Sequence, residues 1–178
     1  MHRWLNAIGY QAVWLCAVIG AGRGIWWSGP AAAAVFVAWQ FALSRHRAAD
    51  ARLLIVALVC GLILDSVLAA TGWARYGAAW PSAAFAPAWI LSVWVSFAMT
   101  LTQSMRFLHG RRLLALLLGA IGGPLAYLGA SHGWAAVVFT APRWHAIAWL
   151  AVAWALAMPL LAGLAARWAR PVHSDVLG

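Results

Sequence analysis

The stretch from Leu53 to Thr71, LLIVALVCGLILDSVLAAT, is an apolar run long enough to cross a bilayer, and it contains one carboxylate, Asp65. A charged side chain at the centre of a membrane helix costs roughly 2.5–3.5 kcal/mol on insertion scales, so Asp65 should face protein or water. Gly61, Ala69 and Gly72 lie at helical spacing around it and would let a neighbouring helix approach the carboxylate. The pattern predicts that Asp65 points into a helical bundle.

The composition of the whole chain indicates a membrane protein. Hydrophobic residues make up 66% of the 178 residues, charged residues make up 8%, and the mean hydropathy is +0.85. Such a chain has too little polar surface for a soluble globule. The net charge of +9 comes from arginines that cluster between apolar runs, a distribution typical of membrane topology and not of nucleic-acid binding.

The apolar runs predict an all-α, polytopic bundle of six transmembrane helices in a single domain covering residues 1–178. The spans are expected at about residues 4–22, 30–44, 53–71, 87–105, 113–130 and 146–166. The segment between the third and fourth spans, Gly72 to Ala86, is expected to lie along the membrane interface. The fifth span is expected to be broken near its outer end by Gly122, Gly123 and Pro124.

The arginines predict the orientation of these spans. Nine of the twelve fall in the N-terminal segment, the second and fourth linkers and the C-terminal tail, while Arg23, Arg75 and Arg143 occupy the three remaining linkers. By the positive-inside rule both termini are therefore expected in the cytoplasm. Tryptophans near the predicted outer ends would form an aromatic belt, at positions Trp26, Trp27, Trp73, Trp80, Trp89, Trp134 and Trp144.

Depth along the helices sorts the polar residues into two groups. Asp65 and Tyr127 lie roughly 18 and 21 Å from the cytoplasmic starts of their spans, so the two side chains can meet, and the nearest candidates for a counter-ion are Arg75 and Arg143. A second cluster is expected near the cytoplasmic ends of spans one, two and four. It serves either interhelical hydrogen bonding or ligand binding, and comprises Asn6, Gln11, Gln40, Thr100, Thr102, Gln103 and Ser104.

The fifth span carries the most specific local pattern, GGPLAY at residues 122–127. Gly119 and Gly123 form a GxxxG pair, and Pro124 leaves the carbonyl of Ala120 without its helical donor. One interpretation is a kink that opens a cavity beside Asp65 and Tyr127. The alternative is close packing of a neighbouring helix against the glycines.

Several of these segments resemble one family of small bacterial inner-membrane proteins, catalogued as Domain of Unknown Function 2878. The resemblance lies in GLILD at residues 61–65, in Trp89, Trp94 and Phe97, and in LLGAIGGPLAYLGA at residues 117–130. It implies a location in the bacterial inner membrane, no established activity and a context of lipid metabolism. The chain departs from the family pattern at residues 102–104, where Thr-Gln-Ser replaces an expected Asn-His-Ser trio.

Other functional classes lack their characteristic residues. The histidines fall in loops, tails or span ends, so neither a metal site nor a cofactor is expected, and no catalytic motif is evident. Two classes remain. The first is a non-enzymatic protein, either an accessory subunit with a protein partner in a membrane complex or a binder of a lipid or apolar ligand. The alternative is an intramembrane enzyme or proton-coupled carrier that uses Asp65.

The predicted topology can be tested with reporter fusions. Fusions after Arg47, Arg112 and Arg170 should report the cytoplasm, while fusions near Ala79 and Ala141 should report the outside, because the arginine bias orients every span. A single inverted reporter would overturn the six-span topology.

Overall fold

The structure, a computed structural model, describes residues 2–169 apart from the side chain of His2. The predicted tail beyond Ala169, with Arg170, His173 and Asp175, lies outside the described residues. Six α-helices follow one another along the chain: α1 (His2–Gly22), α2 (Ser28–Leu43), α3 (Arg47–Ala70), α4 (Ala88–Leu101), α5 (Arg112–Trp134) and α6 (Trp144–Trp168). Of these, α1, α3, α5 and α6 are long and apolar enough to cross a membrane, whereas α2 and α4 have only 16 and 14 residues.

Three helix boundaries differ from the sequence prediction by four residues or more, and one of them is the end of α5, which lies at Trp134 and not at residue 130. Helix α3 begins at Arg47, so most of the segment expected to be a polar linker is helical. Helix α4 ends at Leu101, and residues 102–105, of which the first three are polar, form turns that lead into a short 3-10 helix, Arg106–Leu108. The expected span 87–105 is therefore too long, because the hydroxyls of Thr102 and Ser104 donate to Asp50 and Asn6 of other elements and not to their own helix.

A small antiparallel ribbon closes one end of the bundle. Strand β1 (Ala74–Tyr76) pairs with β2 (Val137–Phe139), with Arg75 opposite Val138. Part of the segment that was expected to lie along the membrane interface is thus paired with the α5–α6 connection. We call this end of the bundle the strand end. The opposite end, the arginine end, carries Arg3, Arg45, Arg47, Arg52, Arg106, Arg111, Arg112 and Arg167.

Helix α4 lies at the centre of the fold. Eleven of its 14 residues are buried, including both tryptophans. Its buried hydroxyls are satisfied locally: Ser92 donates to Trp89 O at 2.6 Å and Ser96 donates to Ser92 O at 2.8 Å. A helix of this length extends only about 21 Å, less than the roughly 30 Å of a hydrocarbon core. Because protein surrounds it, α4 can end short of the bilayer surfaces without exposing irregular backbone to lipid.

The predicted break in the fifth span is not an interruption of the helix. Helix α5 runs without a gap from Arg112 to Trp134 with Pro124 inside it. Its glycines serve close packing instead: a Cβ on Gly119 would lie 2.1 Å from the carbonyl oxygen of Trp154, and a Cβ on Gly123 would lie 2.3 Å from the Trp154 ring. Contact with α6 supports α5 beside the proline, which removes only one backbone donor.

The two neighbouring glycines of α5 give a matched pair of variants. Gly123→Ala should lower the free energy of unfolding by about 1–3 kcal/mol, because the new methyl group overlaps the Trp154 ring. Gly122→Ala meets no atom within 4 Å and should be neutral or stabilising by about 0.5–1 kcal/mol through helix propensity. Thermal unfolding of the purified variants in detergent measures both effects, and equal melting temperatures would contradict the packing described for α5 and α6.

Candidate functional site

Asp65 lies at the junction of four elements. Its side chain is fully buried, with 0% of its surface exposed. The hydroxyls of Tyr76 and Tyr127 donate to its Oδ1 atom at 2.7 and 2.5 Å, and the indole Nε1 of Trp94 donates to Oδ2 at 2.8 Å. These donors belong to β1, α5 and α4, so the carboxylate of α3 fixes the positions of three other elements.

The sequence makes room for the indole of Trp94 next to Asp65. A Cβ on Gly61, one turn before Asp65, would lie 2.3 Å from Cδ1 of Trp94, so only glycine allows the ring to lie against α3. On its other face Trp94 stacks on Trp154, with ring centroids 4.2 Å apart and planes inclined by 16°. Trp154 in turn lies against Gly123. The four helices α3 to α6 therefore meet in one stack of two glycines and two indole rings.

The hydrogen bonds to Asp65 come from uncharged groups. Arg75 and Arg143, the expected counter-ions, are not among the donors that the structure gives this carboxylate within residues 2–169. Two phenols and an indole supply three hydrogen bonds while keeping their rings in the apolar core. The sequence-based expectation that Tyr127 and Asp65 share one depth agrees with their contact in the structure.

A cavity of about 470 Å³ lies on the other side of Trp94 and Tyr127, between α1, α4, α5 and α6. Its volume is within the range of small-molecule sites, and its wall is mainly aromatic and aliphatic. Asp65 does not line it, because Trp94 and Tyr127 stand between the carboxylate and the cavity. The remaining wall includes Tyr10, Trp14, Trp89, Phe97, Trp154 and Met158.

The cavity opens sideways between α1 and α5. Gly122 lines it, and no atom lies within 4 Å of the position that its Cβ would occupy. Leu118 and Leu125, which also line the cavity, are exposed on the outer surface of α5. Toward the strand end the two helices make contact, since Trp14 and Trp134 pack edge to face at 5.8 Å. The opening therefore faces the surface that lipid would cover.

The second predicted polar cluster is present in part. Asn6 is fully buried and donates through Nδ2 to the Oε1 of Gln40 at 2.8 Å and to Met99 O at 3.2 Å. Its Oδ1 accepts from the hydroxyl of Ser104 at 2.6 Å. Gln11 does not belong to this cluster, because it is exposed and lies at the wall of the 470 Å³ cavity. Gln103 lines a separate cleft with Gln40.

Asp50 is a second buried carboxylate. In the sequence it lies among arginines outside the expected spans, as a solvated residue would, but in the structure it lies in the first turn of α3 and is fully buried. Its Oδ2 accepts from the hydroxyl of Ser44, and its Oδ1 accepts from the hydroxyl of Thr102 at 2.7 Å. The flanking arginines hide this role in the sequence. Its position at a helix N-terminus, where a negative charge is favourable, is the one signal that could have indicated it.

Two of the described histidines, His109 and His145, contribute to packing and loop structure. His145 stacks on Trp73, with ring centroids 5.6 Å apart. The Nε2 of His109 donates to Leu101 O at 2.8 Å, and burial lowers the pKa of this imidazole. Within residues 2–169, no group of three histidine, cysteine or acidic side chains is placed to hold a metal ion.

Substitutions of Asp65 should separate shape from hydrogen bonding. Asp65→Leu leaves three buried donors without an acceptor, at about 1–3 kcal/mol each, so the protein should fail to accumulate or should unfold early. Asp65→Asn can still accept from Trp94 and can donate to both phenol oxygens, so it should fold with a modest loss of stability. Expression and thermal unfolding in detergent measure the difference. Similar melting temperatures for the two variants would show that these hydrogen bonds do not hold the bundle together.

Comparison with known proteins gives a family and no function. No curated protein and no solved structure matches the chain. The family described as protein of unknown function (DUF2878) matches residues 3–160, a region that contains all the residues described around Asp65 and the cavity. This confirms the family indicated by the GLILD and GGPLAY segments. The chain therefore belongs to the DUF2878 family of proteins of unknown function.

Proposed function

We propose that this protein is an integral membrane protein of the bacterial inner membrane that binds one lipid or other apolar molecule in the cavity between α1, α4, α5 and α6. The observation that carries the proposal is a cavity of about 470 Å³ with an apolar wall and a sideways opening beside exposed leucines. An apolar molecule can pass through such an opening directly from the bilayer. The proposal keeps the predicted topology, with six spans and both termini in the cytoplasm.

The polar groups of the wall suggest that the ligand carries a hydroxyl group. Tyr127 donates its proton to Asp65, so its phenol oxygen presents a lone pair and can accept from a ligand. Nearby, the Nε1 of Trp154 is the one buried side-chain polar atom within residues 2–169 that lacks a hydrogen-bond partner. A ligand oxygen could accept a hydrogen bond from this donor after a small shift of the ring. A hydroxyl group suits both positions, because it can accept from Trp154 and donate to Tyr127.

In this proposal Asp65 is a positioning residue. Its oxygens are occupied by Tyr76, Tyr127 and Trp94, and the carboxylate is outside the cavity wall. An intramembrane enzyme or proton carrier would need this group to reach a substrate or a water path. The arrangement favours binding over such chemistry, with Asp65 fixing the direction in which Tyr127 offers its lone pair.

The first test obstructs the opening. Gly122→Phe places a ring in the mouth of the cavity, while Gly163→Phe adds the same ring to α6, outside the cavity, where the structure also shows no atom within 4 Å. Native mass spectrometry after purification in mild detergent should find an apolar molecule on the wild type and on Gly163→Phe, with roughly tenfold lower occupancy on Gly122→Phe. Equal occupancy of the two variants, or an empty wild type, would overturn the proposal. A stoichiometric protein partner in place of a lipid would favour the accessory-subunit alternative.

A second pair of variants tests the polar end of the site. Tyr127→Phe and Tyr76→Phe each remove one hydrogen bond to Asp65, but only Tyr127 lines the cavity. Loss of one hydrogen bond corresponds to about 0.5–1.5 kcal/mol, so Tyr127→Phe should lower occupancy about two- to tenfold, whereas Tyr76→Phe should alter stability alone. Equal effects of the two substitutions on occupancy would mean that the phenol acts only through the fold.

A further inference from the structure

A second cleft, of about 300 Å³, lies at the arginine end and is separate from the cavity described above. It is formed where the α2–α3 connection meets the α4–α5 connection. Arg45 and His46 line it from the first connection, and Gln103 and Arg106 line it from the second. No acidic side chain is among the described residues that line it. The cleft is therefore a concave site of positive character.

Asp50 holds the two sides of this cleft together. It accepts from Ser44 of the α2–α3 connection and from Thr102 of the α4–α5 connection. The backbone N–H of His46 donates to the hydroxyl of Ser44 at 2.9 Å, which extends the network along the first connection. The two basic segments are thus fixed relative to each other before any ligand arrives, and this preorganisation lowers the entropic cost of binding.

The arginines of the cleft have no acceptor in the protein. Within residues 2–169 the side chains of Arg45 and Arg106 form no hydrogen bond, and both oxygens of Asp50 are occupied by hydroxyls. By contrast, Arg47 outside the cleft donates to Ala42 O at 3.0 Å and to Phe41 O at 3.3 Å. Two guanidinium groups on one concave surface therefore remain available to an external anion.

A buried amide provides a second, independent observation. Gln40 is only 5% exposed and lines the cleft. Its Oε1 accepts from Asn6 at 2.8 Å, which fixes the orientation of the amide. Its Nε2 donates to no group within residues 2–169, and it is not a buried atom, because the Nε1 of Trp154 is the one buried unpaired side-chain atom there. The Nε2 of Gln40 is therefore an oriented donor that is accessible from the cleft.

We propose that the cleft binds a phosphate group, supplied either by an anionic phospholipid headgroup or by a free phosphate. Guanidinium and amide donors that converge without a competing carboxylate suit the oxygens of a phosphate. Trp39 and Leu43 also line the cleft and are 40% and 56% exposed, so they give it an apolar rim against which an acyl chain can lie. This site is independent of the cavity proposed to hold the apolar ligand.

The test compares two charge-matched double variants. Arg45→Gln with Arg106→Gln removes both arginines of the cleft, while Arg111→Gln with Arg112→Gln removes two exposed arginines of the same end that do not line it. The full chain is reconstituted in phosphatidylcholine nanodiscs, and binding of added phosphatidylglycerol and of inorganic phosphate is measured separately. The cleft variant should lose binding at least roughly tenfold, while the control should retain most of it. Arg106→Gln alone, with a smaller loss, serves if the double variant folds poorly.

Each outcome bears on the proposal. If the cleft variant loses phosphatidylglycerol binding and the wild type does not bind inorganic phosphate, the cleft is assigned to a lipid headgroup. Loss of inorganic phosphate binding assigns it to a free phosphate. Equal losses of binding in the cleft and control variants would mean that binding depends on the general positive charge of this end and not on the cleft. No loss of binding in either variant would refute a phosphate site. Neither negative outcome affects the cavity proposal, whose variants lie on α5, α6 and β1.

Discussion

The carboxylate of Asp65 and its three donors are the interaction on which the arrangement of the bundle depends. Each hydrogen bond contributes only about 0.5–1.5 kcal/mol net, but a buried donor or acceptor left unpaired costs about 1–3 kcal/mol. Helices in a membrane gain little from the hydrophobic effect when they associate. The cost of leaving a buried polar group unpaired therefore contributes strongly to determining which helices pack together. Because Tyr76, Trp94 and Tyr127 come from three elements, a shift of any one of them leaves the carboxylate or a donor unpaired.

Matched large and small residues supply the close packing that hydrogen bonds alone cannot. Gly61 and Gly123 form the outer layers of a stack whose inner layers are the rings of Trp94 and Trp154. Each indole gains a face-to-face contact on one side and a backbone surface on the other, which secures dispersion contacts without strain. The same stack forms part of the cavity wall, so the residues that join α3 to α6 also shape the proposed binding site.

The sequence predicts part of this arrangement through depth and periodicity. Asp65 is the single carboxylate and Tyr127 the single phenol of a long apolar run, so counting residues along two helices is enough to place them at one depth. Trp94 enters the sequence analysis only through the family resemblance, because an indole inside a predicted span does not by itself indicate its hydrogen-bond acceptor. Asp50 lies among arginines and reads as solvated, and its burial depends on a turn that follows a different helix. Strands of three residues are too short to show an alternating pattern in the sequence.

The two buried carboxylates of α3 have a mechanical consequence. Asp50 and Asp65 lie 15 residues apart, roughly 22 Å along the axis, and each bonds to α4 or to the turn that follows it. Two attachments at that separation prevent α3 and α4 from sliding or rotating past each other, so the pair behaves as a single rigid strut. The α4 wall of the cavity belongs to this strut, and the α5 wall is attached to it through the hydrogen bond from Tyr127 to Asp65. Helix α1 forms the other side of the opening and is not among the elements that donate to Asp65 within residues 2–169. In the proposed binding role, the compliance of α1 would therefore set how large a molecule the protein accommodates.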